Sequence, residues 1–247
     1  MKSLLKMTWM ETKLFFREPI GAFFTLLFPL MFLFLFGSIY GNSPLKQLNG
    51  QGSVDISVPA YTAMIIATTG LVGLPITMAA YRENGVLRRL RTTPINPIVV
   101  LVTQVIVLFM MTAVGMILLI IAGKLVFHLR FDGDVFNVIG GFILSSLSFF
   151  AIGFILAGLM PTARTAQVVG MVILYPMLFL TGAGFPRELL PESILKISNF
   201  LPLTYVVTLL RGLWVGDSWS MHFTDVIVLA GILVAGVLIS IKTFRWE

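Results

Sequence analysis

The residues whose types and spacing could do chemistry are few, and what they offer is charge. Arg82, Glu83, Arg88, Arg89 and Arg91 crowd into Tyr81–Pro97 (YRENGVLRRLRTTPINP), between two long apolar runs. Charge this dense cannot sit in hydrocarbon, so the stretch lies outside a bilayer. Val86, Leu87 and Leu90 share one helical face, with the arginines mostly on the others. A short helix here would lie under a membrane and offer an apolar ridge to a soluble partner. Pro94 and Pro97 would end it, because neither ring fits a helix interior. Other chemistries lack their residues. The chain has no cysteine, which removes disulfides, thiolate metal sites and thiol nucleophiles. His128 and His222 stand far apart, with no second His or Cys at ligand spacing, and read as surface residues. Gly123-Lys124 lacks the upstream glycine and the following hydroxyl of a Walker A loop. No HExxH, GxSxG or Ser/Lys dyad falls at membrane depth. No catalytic residue, metal ligand or cofactor site is expected in this chain, and any energy for active work must enter from another polypeptide.

The elements that position this charge are membrane helices. The chain is 57% hydrophobic and 11% charged, with a mean hydropathy of +0.98. Ordinary soluble domains carry about 25% charged residues. The expected fold class is therefore an all-α integral membrane protein. The net charge of +6 is spread over separate loops rather than one stripe, which excludes a nucleic-acid partner.

Residues 2–18 read as an interfacial amphipathic helix. Lys2, Lys6, Lys13 and Arg17 fall in a narrow arc at 100° per residue, and Leu4, Met7, Leu14 and Phe15 occupy much of the other side. Such a helix lies in the headgroup layer and is drawn to anionic membrane lipid. A signal-peptide reading fails for want of an Ala-x-Ala site after the apolar run. Six spans follow, at about 19–40, 58–80, 98–123, 135–159, 167–183 and 225–241. Residues 41–57 read as a polar loop. Gly70, Gly73 and Pro75 interrupt the second span, and glycines and serines crowd the fourth, which indicates close helix contact or a kink. The spans carry essentially no ionisable residue, which argues against ion-coupled carriage. Pro186 and Pro191 are placed to start short helices, and 203–215 is too short for a span and suits a re-entrant or interfacial helix. Eleven of the 17 lysines and arginines then fall on one side, including both dense clusters, which puts both termini in the cytoplasm.

With the segments in place, two motifs resemble those of the membrane subunit of a type-2 ABC exporter, of the drug and antibiotic resistance permease group. Arg82-Glu-Asn-Gly-Val-Leu-Arg-Arg-Leu-Arg-Thr-Thr-Pro94 is similar to the family's E-x-G-[TV]-L-x-x-L-x-x-T-P segment. Phe185-Pro-x-x-x-Leu-Pro191, then Leu201-Pro-Leu-Thr-Tyr205 and Arg211-Gly212, are similar to its segment between the fifth and sixth spans. The order of spans and the basic N-terminal helix match as well, so the resemblance covers nearly the whole chain.

The resemblance implies one transmembrane domain over 1–247, with 1–18 interfacial, 82–94 as a coupling helix and 185–215 as an outer re-entrant segment. Glu83, Gly85, Val86, Leu87, Arg88, Leu90, Arg91 and Pro94 would dock on a cytoplasmic ATP-binding subunit, which would hold the ATP and Mg. A second permease, identical or a sister chain, would complete the unit in the cell membrane, and the source would be bacterial. The first and fifth spans would line the interface between permeases, making Phe28, Phe32, Phe36, Tyr175 and Phe179 a substrate path. The cargo would be a hydrophobic or amphipathic compound such as an antibiotic, a drug or a lipid-like molecule. Alternatives are a lipid-linked glycan, sodium, or a scaffold or sensor whose basic loop recruits a cytoplasmic partner. On this reading Gly85→Asp or Leu87→Asp abolishes transport while the protein stays in the membrane. Unchanged export in both variants removes the coupling role.

Overall fold

A computed structural model describes residues 2–44, 50–91, 97–184, 187 and 190–243, with all their side chains except those of 2, 3, 20, 90, 91 and 97. Pro94, Phe185, Pro186 and Arg245 therefore lie outside the described residues. Helix α1 (Lys2–Arg17) leads into the first span, built from α2 (Pro19–Ala22), a π-helical turn at Phe23–Leu27 and α3 (Phe28–Tyr40). The second span is α4 (Ser53–Thr68), a π-helical turn at Thr69–Gly73 and α5 (Leu74–Glu83). After α6 (Val86–Arg91) come the third, fourth and fifth spans, α7 (Pro97–Phe127), α8 (Val135–Leu159) and α9 (Ala163–Leu180). Helices α10 (Glu192–Ser198) and α11 (Pro202–Val215) form a pair bent by 102°, and α12 (Phe223–Thr243) is the sixth span. Among the described residues there is no strand, and six helices are long and apolar enough to cross a membrane. Helix α7, at 31 residues, is about 46 Å long against a ~30 Å hydrocarbon core, so it must tilt or protrude.

The second span is the hub. Of its apolar window 67% is buried inside the protein, against 11% for α12, which faces outward along most of its length. The alternation of spans places α1, α6 and the α8–α9 link at one end, termed the coupling end after the role expected of 82–94. The loop before α4, the α7–α8 turn and the start of α12 lie at the far end.

The first turn of α4 departs from the expected loop over 41–57. The helix begins at Ser53, and Ser53, Val54 and Asp55 are all buried. Its free amides are capped from outside the turn: Val54 N and Asp55 N donate to Asn42 Oδ1 (3.0 and 3.2 Å), and Gly52 N donates to Asp55 Oδ2 (3.1 Å). Asn42 Nδ2 and Arg130 N each donate to Asp55 Oδ1 at 2.8 Å. Hydrogen-bond partners at the far end thus let a carboxylate be buried where the sequence reads as a solvated loop. Helix α10 starts directly after Pro191, as expected, and α11 carries Pro202 at its first turn. Leu203, Val206, Val207, Leu210 and Leu213 of α11 are fully buried against α4, α8 and α12, so this short helix is inserted in the bundle rather than laid on it.

The expected close contact at Gly70 is present. A Cβ at Gly70 would stand 2.8 Å from Phe149 O of α8, and one at Gly153 would collide with the Gly70 carbonyl oxygen. On the other side, a Cβ at Gly170 of α9 would collide with the Leu71 carbonyl oxygen. The bulged turn is gripped between two glycines, because only a missing side chain lets backbones approach this closely. Gly153→Val is therefore expected to lower stability by about 1–3 kcal/mol, the usual cost of overpacking. Gly231→Val on α12, where an added Cβ meets nothing within 4 Å, serves as control. Thermal unfolding in detergent, followed by tryptophan fluorescence, reads both; equal midpoints would remove the packing role of Gly153.

Candidate functional site

At the coupling end three consecutive residues close α5 and each reaches a different neighbour. Tyr81 OH donates to Glu11 Oε2 of α1 at 2.5 Å and lies 3.4 Å from Gln104 Nε2 of α7. Arg82 donates to Ala157 O (3.2 Å) and to Met160 O, at the C-terminus of α8. Glu83 Oε2 accepts from Ala163 N at 3.1 Å, the first amide of α9. These are the carbonyls and amides a helix leaves without partners at its ends, and a carboxylate at a helix N-terminus also meets a favourable dipole. Asn84 and Gly85 then turn the chain into α6: Gly85 N donates to Arg82 O (3.0 Å) and Arg89 N to Gly85 O (3.0 Å). Gly85 sits at φ +66° with nothing within 4 Å of an added Cβ. Its need is conformational rather than steric, since an L residue in this region loses about 1–2 kcal/mol.

Between the first, second and fifth spans lies a cavity of ≈ 410 Å³. Its lining is mainly apolar: Phe24 and Phe28 from the first span, Val72 and Ile76 from the second, Leu174 and Tyr175 from the fifth. Thr25, Thr68, Thr69 and Thr77 add hydroxyls, and Arg17, Glu18 and Gln167 add the other polar groups. Both π-helical turns border it, through Phe24 and Thr25 on one side and Thr69 and Val72 on the other. From the cavity an aromatic ladder climbs the first span toward the far end. Phe24–Phe28, Phe28–Phe32 and Phe32–Phe36 have ring centroids 5.4, 4.7 and 5.6 Å apart, and Tyr40 stacks on Phe36 at 6.3 Å. A volume of this size is within the usual range of small-molecule sites, about 300–1,000 Å³.

The expected residues sort unevenly over these two places. Phe28 and Tyr175 line the cavity; Phe32 and Phe36 continue from it as the ladder; Phe179 is exposed one turn beyond Tyr175, outside the lining. In α6, Arg88 and Arg89 are exposed, as are Glu83 and Asn84 before it, while Val86 is half-buried. Leu87 is 1% exposed, so its side chain anchors α6 to its own chain and cannot form the ridge expected to meet a partner. The side chains of Leu90 and Arg91 are not described, and Pro94 lies outside the described residues. Three participants escaped the sequence reading: Tyr81, Glu11 and the paired π-helical turns. Glu11 did carry a signal, since it falls in the middle of the arc held by Leu4, Met7, Leu14 and Phe15. A lone acid on an apolar face needs a buried partner. The π-helical turns had a signal in Pro29 and Pro75, each two residues past a turn and lacking the N–H that a carbonyl within it would accept.

A bundle of six spans with a polar face at one end and an apolar cavity reaching its interior is the architecture of a membrane permease. The family model for the ABC-2 type transporter matches residues 2–214, and the chain belongs to that family. It is 25% identical over 224 residues to a putative transport permease ycf38 of Cyanophora paradoxa, a match covering 87% of this chain and 74% of that protein. It is 24% identical over 225 residues to the daunorubicin resistance ABC transporter permease protein DrrB1 of Streptomyces coeruleorubidus, covering 89% and 76%. A shorter match, 29% over 102 residues, is to nodulation protein J of Rhizobium leguminosarum bv. viciae and spans 39% of that protein's length. The chain is thus a multi-pass membrane permease, a transport subunit of an ABC transporter.

The inward turn of Leu87 changes what its substitution tests. Leu87→Asp places a carboxylate in an apolar contact and is expected to cost about 3–5 kcal/mol, lowering the yield of folded protein. Arg88→Glu, on the exposed side of the same helix, is expected to leave folding intact. Size-exclusion profiles and thermal midpoints in detergent separate the two; a Leu87→Asp protein as stable as the parent would refute the packed position of α6.

Proposed function

We propose that this permease exports a hydrophobic or amphipathic compound, driven by ATP hydrolysed in a partner subunit. The observation that carries the cargo class is the cavity of ≈ 410 Å³, apolar but edged with threonine hydroxyls and continued by the aromatic ladder. Among the described residues that line it, Glu18 is the sole carboxylate. The rings and aliphatic side chains that make up most of the lining support an organic cargo over a free ion. The name of the daunorubicin resistance relative supports the same class.

Residues 82–94 serve as the coupling segment, with Arg88 and Arg89 turned outward toward acidic groups of the ATP-binding subunit. That subunit binds ATP and Mg; this chain contributes no cofactor site. Two permeases, identical or sister chains, face each other through the first and fifth spans, where Tyr175 and Phe179 are exposed on α9. The α10–α11 pair caps the path on the outer side, α1 lies in the inner headgroup layer with Lys13 over the Trp9 ring at 5.1 Å, and both termini are cytoplasmic.

The test is a mild-detergent pull-down from native membranes, with ATP hydrolysis assayed in the eluate. The parent chain is expected to bring an ATPase with it. The double variant Arg88→Glu, Arg89→Glu is expected to reach the membrane in normal amount and lose most of that activity. Full ATPase recovery with the double variant would refute docking through this face, and a parent that captures no ATPase even after crosslinking would favour a scaffold or sensor.

A further inference from the structure

We propose that Tyr81, Arg82 and Glu83 act as one set of positioning residues that converts movement of α6 into a tilt of α9, the helix that walls the cavity. The inference rests on the reading that a partner ATPase moves α6. It goes beyond that reading by assigning where the movement travels inside this chain.

The geometry leaves little slack along this route. Helix α6 follows α5 through a two-residue turn whose amides are bonded back: Asn84 N to Ala80 O at 2.9 Å and Gly85 N to Arg82 O at 3.0 Å. The side chains just before the turn hold both sides of the α8–α9 link. Arg82 takes the open carbonyls Ala157 O and Met160 O at the end of α8, and Glu83 takes the first amide of α9. Only residues 160–162 separate these helices, and Thr162 Oγ1 further caps α9 by accepting from Thr165 N at 3.1 Å. Arginine suits its place because its planar fork can reach two carbonyls at once. On the opposite side Tyr81 ties the same turn of α5 to α1 and α7 through Glu11 and Gln104. A displaced α6 therefore pulls on the N-terminus of α9 while its other flank stays anchored.

Further along α9, Gly170 rests on the Leu71 carbonyl of the π-helical turn, with only a methyl of Val72 beside it. It is placed as a fulcrum. Ala163 lies seven residues before it, about 10 Å, and Tyr175 five residues after it, about 8 Å. A shift of about 2 Å at Ala163 would swing Tyr175 by about 1.5 Å the other way, altering the cavity wall.

The absence of cysteine makes the parent a clean background for paired spin labels. Asn84→Cys reports the start of α6, Val172→Cys reports α9, and each is paired with Phe136→Cys at the far end of α8; all three sites are exposed. In the purified complex with its ATPase, Mg-ATP is expected to shift both distances. With Arg82→Ala and Glu83→Ala together, the Asn84 shift is expected to persist, which also certifies the fold, while the Val172 shift is lost. Glu83→Gln, which keeps an oxygen for the Ala163 amide, is expected to retain the Val172 shift. A Val172 shift that survives in the double alanine variant overturns the assignment. Should the double variant fail to assemble, Glu83→Ala alone, at an exposed side chain, decides the matter: loss of the Val172 shift supports the route and its persistence overturns it. A parent complex with no Asn84 shift overturns the ATPase-coupling reading itself, and the route with it.

Discussion

The rest of the bundle depends on how the second span breaks its own helix. At Thr69–Gly73 the backbone widens into a π-helical turn, and its carbonyls at Gly70 and Leu71 face neighbouring helices. In hydrocarbon an unfilled gap beside such a turn has no water to fill it, so the neighbours must come to the backbone itself. Gly153 of α8 and Gly170 of α9 do this from two sides. The contact gains dispersion and weak Cα–H···O attraction rather than hydrophobic free energy, which is absent between helices in lipid. It fixes α8 and α9 against the hub, and the same turn presents Thr69 and Val72 to the cavity.

The two ends of the bundle use polar groups differently. At the far end Asp55 gathers the amides of Gly52 and Arg130 and the side chain of Asn42, while Trp214 Nε1 donates to Arg130 O at 3.0 Å. These bonds tie the loop before α4, the α7–α8 turn and the end of α11 into one partly buried network around the buried Asp55. Removing one partner there would leave a buried charge or amide unsatisfied, so this end resists rearrangement. At the coupling end the bonds run from half-exposed side chains to helix termini, where water can replace a lost partner.

The spans were legible because a 20-residue apolar run has few other meanings, and the place of the charged segment around α6 outside the spans because charge cannot be buried in lipid. The start of α4 was not, since its cap comes from Asn42, eleven residues before Ser53, and no local pattern carries that. Leu87 is hidden from sequence reasoning for a similar reason. On a six-residue helix the apolar side can face a partner or its own chain, and the packing of α6 against α5 and α7 makes the choice. Glu83 alone looks like a surface ion pair; its helix-capping role exists only once the start of α9 is brought to it.

The chemistry of the cavity limits how such a protein can switch. Its walls carry hydroxyls and rings but no buried ionisable group, with Arg17 and Glu18 exposed beside the α1–α2 bend. A carrier that switches by charge needs a lining group that a proton or ion can neutralise. Among the described lining residues none at depth can be neutralised, so on the proposed reading affinity changes through shape: the separation of Phe28 on the first span from Tyr175 on the fifth. Helix α9 is suited to change it. It is capped firmly at Ala163 by Glu83 and Thr162, touches the hub through a glycine, and has Pro176 just beyond Tyr175, where an intrahelical bond is missing. On the proposed route, a helix held at one end, pivoted in the middle and weakened above the cavity transmits displacement to one place, the wall of that cavity.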